Sequence, residues 1–137
     1  MEGITTLEET ESCVFDRIGP RYIRQRYKPS ATFTPERLKA DGEVRDRLCG
    51  PLSSAVLVIL PAEVPVNPLA TNEDHFRATR DRGCILALAV VTDSAQMHTA
   101  TKLYFMYFQQ AFPAMVFDEE RDAHRWLISQ LEASGAG

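Results

Sequence analysis

Two continuous apolar runs dominate the pattern along this chain, residues 55–60 (Ala55-Val56-Leu57-Val58-Ile59-Leu60) and residues 84–91 (Cys84-Ile85-Leu86-Ala87-Leu88-Ala89-Val90-Val91). Neither alternates with polar residues, and both are short for helices, which is the pattern of strands buried on both faces of a parallel sheet. The second run is also far short of the roughly 20 residues that cross a bilayer. Two shorter runs, residues 13–18 and 21–28, are separated by Gly19-Pro20 and predict a β-hairpin. Ala114-Met115-Val116-Phe117 predicts a last short strand.

Helical patterns fill the spaces between these strands. Thr34-Pro35-Glu36 is a start signal: a cap, a proline suited to the first helical position and an acid at the positive end of the dipole. The helix it opens is expected to run to Cys49, with Ala40, Val44 and Leu48 facing inward and Gly50-Pro51 as its stop. Residues 61–72, with Pro61, Pro65 and Pro68, read as a long loop, followed by a short helix over 73–82. Thr92-Asp93-Ser94 caps the next helix, which is expected to continue until Pro113 ends it. Its sheet-covering face would hold Met97, Ala100, Thr101, Tyr104, Phe105, Phe108 and Ala111. Asp118-Glu119-Glu120 opens a final helix with Ala123, Trp126, Leu127 and Leu131 as its buried stripe.

The order β-hairpin, α, β, α, β, α, β, α requires right-handed crossovers and hence one mixed, mainly parallel α/β sheet. That sheet should have four to five strands, the hairpin at one edge and about four helices. At 137 residues the chain accommodates one core. Residues 13–132 are assigned to that single domain, residues 1–12 to an acidic mobile leader and residues 133–137 to a disordered tail.

Charge and composition narrow the function classes. With 45% hydrophobic and 25% charged residues the chain has an ordinary globular composition. Glu2, Glu8, Glu9 and Glu11 give the leader four acids and no base; without them the remaining 15 acids balance 15 bases. A neutral body offers no general attraction to nucleic acid or to an anionic membrane. Arg24, Arg26 and Lys28 would share one strand face, as a basic stripe for an anionic partner or as guards of an exposed edge. Three cysteines without a C-x-x-C pair, and no signal-peptide pattern at the N-terminus, point to the cytoplasm.

The segment 85–91, the pair Asp93-Ser94, the stretch Phe112-Pro113-Ala114-Met115-Val116-Phe117-Asp118-Glu119-Glu120 and Ala123-x-x-Trp126-Leu127 resemble the C-terminal half of small bacterial STAS-like proteins. This is the fold of anti-sigma-factor antagonists and their uncharacterised relatives. With the hairpin and first helix in order, the resemblance spans residues 13–131. It implies a non-enzymatic regulatory or protein-interaction module. In the antagonists a phosphorylatable Ser or Thr opens the helix after the central strand, which here implicates Thr71 within Asn67-Pro68-Leu69-Ala70-Thr71-Asn72. The short Asp-Ser turn of that group is missing, so the uncharacterised relatives are the closer match.

Catalytic patterns are sparse. His75, His98 and His124 fall in three predicted helices, without the spacing of a zinc site, and no cofactor or metal is expected. Ser94 and His98 lie one helical turn apart, which suggests an esterase-like pair, although Ser94 also serves as a plain helix cap. The C-terminal rim of the sheet, with Asn67, Thr71, Asn72, Asp93 and Ser94, is where a small apolar or amphipathic ligand would bind, provided the strand order switches there. Leu103-Tyr104-Phe105-Met106-Tyr107-Phe108 is apolar on too many sides for a helix that covers only a sheet. Leu103, Met106 and Tyr107 are therefore the candidate interface, for a protein partner or a homodimer.

Overall fold

The two apolar runs lie side by side in the middle of one sheet. The computed structural model describes residues 5–29, 31, 33–49, 53–61 and 84–135. In chain order they form β1 (Thr5–Glu9), β2 (Cys13–Gly19), β3 (Tyr22–Tyr27), α1 (Pro35–Cys49), β4 (Ser54–Ile59) and β5 (Ile85–Val91). Then follow α2 (Ala95–Tyr107), β6 (Ala114–Phe117) and α3 (Glu120–Ala133). The strands stand in space in their sequence order. β1–β2 and β2–β3 are antiparallel, whereas β3–β4, β4–β5 and β5–β6 are parallel. The expected mixed, mainly parallel α/β fold is therefore present, with six strands instead of four or five. The described residues hold three helices; the expected helix over 73–82 and loop residues 62–72 lie outside them.

Register explains the layers. Ile23, Val56 and Leu88 are cross-strand partners, as are Gln25, Val58 and Val90, so they share one face. On that face Val56, Val58, Leu88 and Val90 form a core with Leu48 and Cys49 of α1 and Tyr104 and Phe105 of α2. Tyr22, Ala55, Leu57, Ala87, Ala89 and Val91 occupy the opposite face and pack against Ala123, Leu127 and Leu131 of α3. Right-handed crossovers that always step to the same side put α1 and α2 together. The chain after β6 then covers the other face. Three alanines on that face keep it shallow, so the Leu127 side chain can be fully enclosed.

Three expectations are corrected. The leader is not wholly mobile, because residues 5–9 form β1, an edge strand paired with β2. Its Leu7 packs on the core, and its acids meet bases: Glu8 pairs with Arg47 and Glu9 with Lys28. On α1, Ala40, Val44 and Leu48 are only partly buried, although Leu48 still packs against the core. The buried residues of this helix include Asp41, Arg45 and Cys49, a stripe one residue further on and so rotated by about 100°. The face that α1 covers carries polar groups: Gln25 donates to the Tyr27 hydroxyl at 3.0 Å and to Cys13 Sγ at 3.6 Å, and Thr10 donates to Asp41 at 3.0 Å. α2 ends at Tyr107, before Ala111, because Phe108 leaves the helical region at φ −106°, ψ 81°. Its freed carbonyl accepts from Gln110 Nε2 at 2.9 Å, and the chain unwinds to bury Phe112 and start β6.

The basic stripe is neutralised. Asp16, 1% exposed, accepts from Thr6 at 3.1 Å and from Arg24 and Arg26 at 3.1 and 3.0 Å, and Arg24 also reaches Glu120 at 3.0 Å. Lys28 donates to the Thr10 carbonyl and pairs with Glu9. Burial alone would raise the Asp16 carboxyl, but hydrogen bonds and charge from Arg26 and Arg24 outweigh it and hold it below the usual carboxylate range. A depressed acid stabilises the fold above its unfolded pKa near 4 and loses that contribution as pH falls through the folded value. Asp16→Ala is expected to lower stability by about 2–4 kcal/mol at neutral pH, measured by urea unfolding, and to flatten the acid limb of the stability curve.

Burial pushes the Asp41 carboxyl up, against the hydrogen bonds from Thr10 and Cys13 and the charges of Arg37 and Arg45. The sign is therefore opposite: a raised acid stabilises below its unfolded pKa and loses that contribution as pH rises through the folded value. Asp41→Asn, which keeps an oxygen for Thr10, is expected to gain stability relative to wild type between pH 4 and pH 8, read from urea midpoints across that range.

Candidate functional site

α2 connects the C-terminal end of β5 to the start of β6, and its sequence starts it cleanly. Ser94 is extended at φ −90°, ψ 122°, and its Oγ accepts from Met97 N at 3.3 Å; Thr92 Oγ1 accepts from Ser94 N at 3.2 Å. Of the predicted rim residues, Asp93 is exposed beside this cap and Ser94 is engaged in it. Asn67, Thr71 and Asn72, with Thr71 the expected phosphorylation site, lie outside the described residues, as does His75. The six strands follow one another without a switch in order, so the described sheet lacks the crevice that a switch opens.

Ser94 Oγ is engaged with Met97 N, and His98 meets a different partner. Its Nδ1 stands 2.9 Å from Asp118 Oδ1, a close contact without the alignment of a hydrogen bond. Asp118 was not among the predicted site residues. It stands there because β5 and β6 are parallel neighbours, with Val91 opposite Phe117 and Thr92 N bonded to Phe117 O at 3.1 Å. The signal was present in the sequence, since residues that follow adjacent parallel strands meet at one rim. His124, in α3, stacks on Tyr22 and shares a 2.8 Å hydrogen bond with its hydroxyl. Among the described residues no group of three or more His, Cys, Asp or Glu could hold a metal ion. Burial pushes the Cys13 and Cys49 thiols up to about 12, which removes their nucleophilic thiolates at neutral pH.

The outer side of α2 is different in kind. Tyr104 and Phe105 pack on the core, while Leu103, Met106 and Tyr107 point outward at 57%, 69% and 81% exposure. The three predicted interface residues thus fall together on the surface. The aromatic series Phe105, Tyr104, Phe108, Tyr107 runs from core to solvent with ring centroids 5.4, 5.0 and 4.7 Å apart, which gives the outer side a stiff backing. Met115 in the neighbouring β6 is 45% exposed and was not anticipated, because an alternating position on a four-residue strand does not reveal which face is open. From residue 103 to residue 117 the chain has no charged side chain. Among the described residues β6 is also the last strand of the sheet, with a neighbour on the β5 side only.

No protein-family model and no curated protein matches this chain. Among solved structures, it is similar to an uncharacterised protein of the DUF3478 family with a SpoIIAA-like fold from Shewanella loihica PV-4. The two superpose with a TM-score of 0.53 over 91% of this chain and 94% of the other, at 13% identity. The fold is therefore SpoIIAA-like, the STAS-like architecture that residues 85–127 resemble. At that identity the likeness establishes fold alone. No helix of the described residues is long and apolar enough to cross a membrane.

Ser94→Ala removes the cap acceptor of α2 and is expected to lower stability by about 1 kcal/mol in thermal or urea unfolding, with unchanged far-UV dichroism at low temperature.

Proposed function

We propose that this chain is a non-enzymatic STAS-like interaction module that acts as a homodimer, with the outer side of α2 as its contact surface. The observation that carries this reading is the exposure of Leu103, Met106 and Tyr107 on a charge-free stretch. A solitary helix on a sheet exposes its polar side, and large uncharged side chains held outward by an aromatic backing suit an interface core. Self-association suits this surface because a two-fold contact sets the same patch against itself, and Leu103, Met106 and Tyr107 carry no charge to repel one another. The binding of Ser94 Oγ to the backbone of its own helix supports a structural role over a nucleophilic one. Three buried, free cysteines suit a reducing compartment, in keeping with a cytoplasmic module.

Sedimentation velocity of wild type and Met106→Glu tests the reading. Wild type is expected to sediment as a dimer, and burying an unpaired carboxylate should weaken association by about 100-fold or more. A monomeric wild type, or a dimer indifferent to the substitution, would remove this surface from the interface.

A further inference from the structure

β1 is attached to the sheet by charge more than by packing. Of its five residues only Leu7 packs on the core, and its register with β2 slips between Thr6 and Glu8. Its acids, and the one just beyond it, each end on a base from a neighbouring element. Glu8 meets Arg47 in the last turn of α1 at 2.9 Å, Glu9 meets Lys28 after β3 at 2.6 Å, and Glu11 meets Arg37 in the first turn of α1. All three pairs sit at the surface, where salt screens them. The hinge to β2 is the short stretch 10–12, held by Thr10, whose Oγ1 accepts from Ser12 N and Cys13 N at 3.2 and 3.0 Å.

Viewed from the other side, the edge of β2 is a strand-docking edge rimmed by Arg37, Arg47 and Lys28, and β1 is the acidic strand that fills it. Without β1, three bases would surround a row of unpaired backbone groups, an invitation to an extended acidic segment. We infer that β1 is an exchangeable strand and that the edge of β2 accepts, in trans, the same acidic segment from a second copy of the chain. Charge complementarity selects this occupant: residues 5–11 carry acids at the positions that meet the three bases, and every copy carries them. The surface lies on the β1–β2 edge, at the opposite end of the strand order from β6, so it stands independently of the contact proposed for α2.

The test uses the full-length chain and a fluorescent peptide with the sequence of residues 5–12. Anisotropy titrations compare wild type with a Glu8→Gln, Glu9→Gln, Glu11→Gln triple variant, whose own strand is held less firmly. The variant is expected to bind the peptide about 10-fold more tightly than wild type does. Binding should disappear in about 1 M salt, where the Debye length is about 3 Å, and for a peptide with the three glutamates changed to glutamine. Equal affinity of the two proteins, no binding by either, or binding indifferent to salt or to the peptide's charge would overturn the inference. Should the variant fail to fold, hydrogen exchange on wild type decides. The amides of β1 are expected to exchange faster in high salt while those of β4 and β5 do not change, and unaltered β1 protection would overturn the inference.

Discussion

Everything in this molecule is arranged around two strands that are almost wholly buried. β4 and β5 are apolar on both faces, with Val56, Val58, Leu88 and Val90 on one side and Ala55, Leu57, Ala87, Ala89 and Val91 on the other. A pair of this kind must be flanked by further strands and roofed on both faces. β3 and β6 supply the flanks, α1 and α2 one roof, and α3 the other. The uneven cover follows from chirality: same-handed crossovers in a sheet of sequential order leave one face without a helix until the chain has finished β6. α3 is that late cover, and among the described residues the alanines beneath it let one helix seal this face while α1 and α2 share the other.

Away from this centre the sheet becomes polar and its interactions change. Over β2 and β3 the inward positions hold Cys13, Gln25 and Tyr27, and α1 answers with Asp41 and Arg45 in place of hydrocarbon. On the reverse face Asp16 is closed over by two arginines and a threonine. These groups contribute orientation more than net stability, because the desolvation of each charge offsets much of its pairing. They also set opposite pH responses, Asp16 favouring the folded state at neutral pH and Asp41 favouring it in acid.

The two ends of the sheet meet solvent by different physics. At the β6 end the exposed side chains of Leu103, Met106, Tyr107 and Met115 are uncharged and large, so association through them would be driven by removing apolar surface from water. At the β1 end the strand is held by salt-sensitive pairs over little apolar contact. A chain with both ends has one edge suited to persistent contact and another suited to exchange, and ionic strength acts mainly on the second.

The hydrophobic pattern by itself determined the buried strands, the hairpin and the uncharged, oversized apolar run of α2, because each is a local consequence of side-chain period and chain stiffness. It also placed Ser94 at a cap and Ala123, Leu127 and Leu131 inside. The likeness of residues 85–127 to STAS-like proteins carried the fold further than the pattern alone. Only the tertiary structure decided that residues 5–9 join the sheet, since a strand of acids becomes favourable only when Arg47 and Lys28, distant in sequence, stand beside it. It also decided the rotation of α1 about its axis, which depends on the polar partners waiting on β2 and β3. Helix period shows that a stripe exists, but which stripe is buried is settled by the surface it lands on. The meeting of His98 with Asp118 and the outward placement of Met115 arise in the same way, from the parallel register of β5 and β6, a pairing between segments whose separation along the chain conceals their contact.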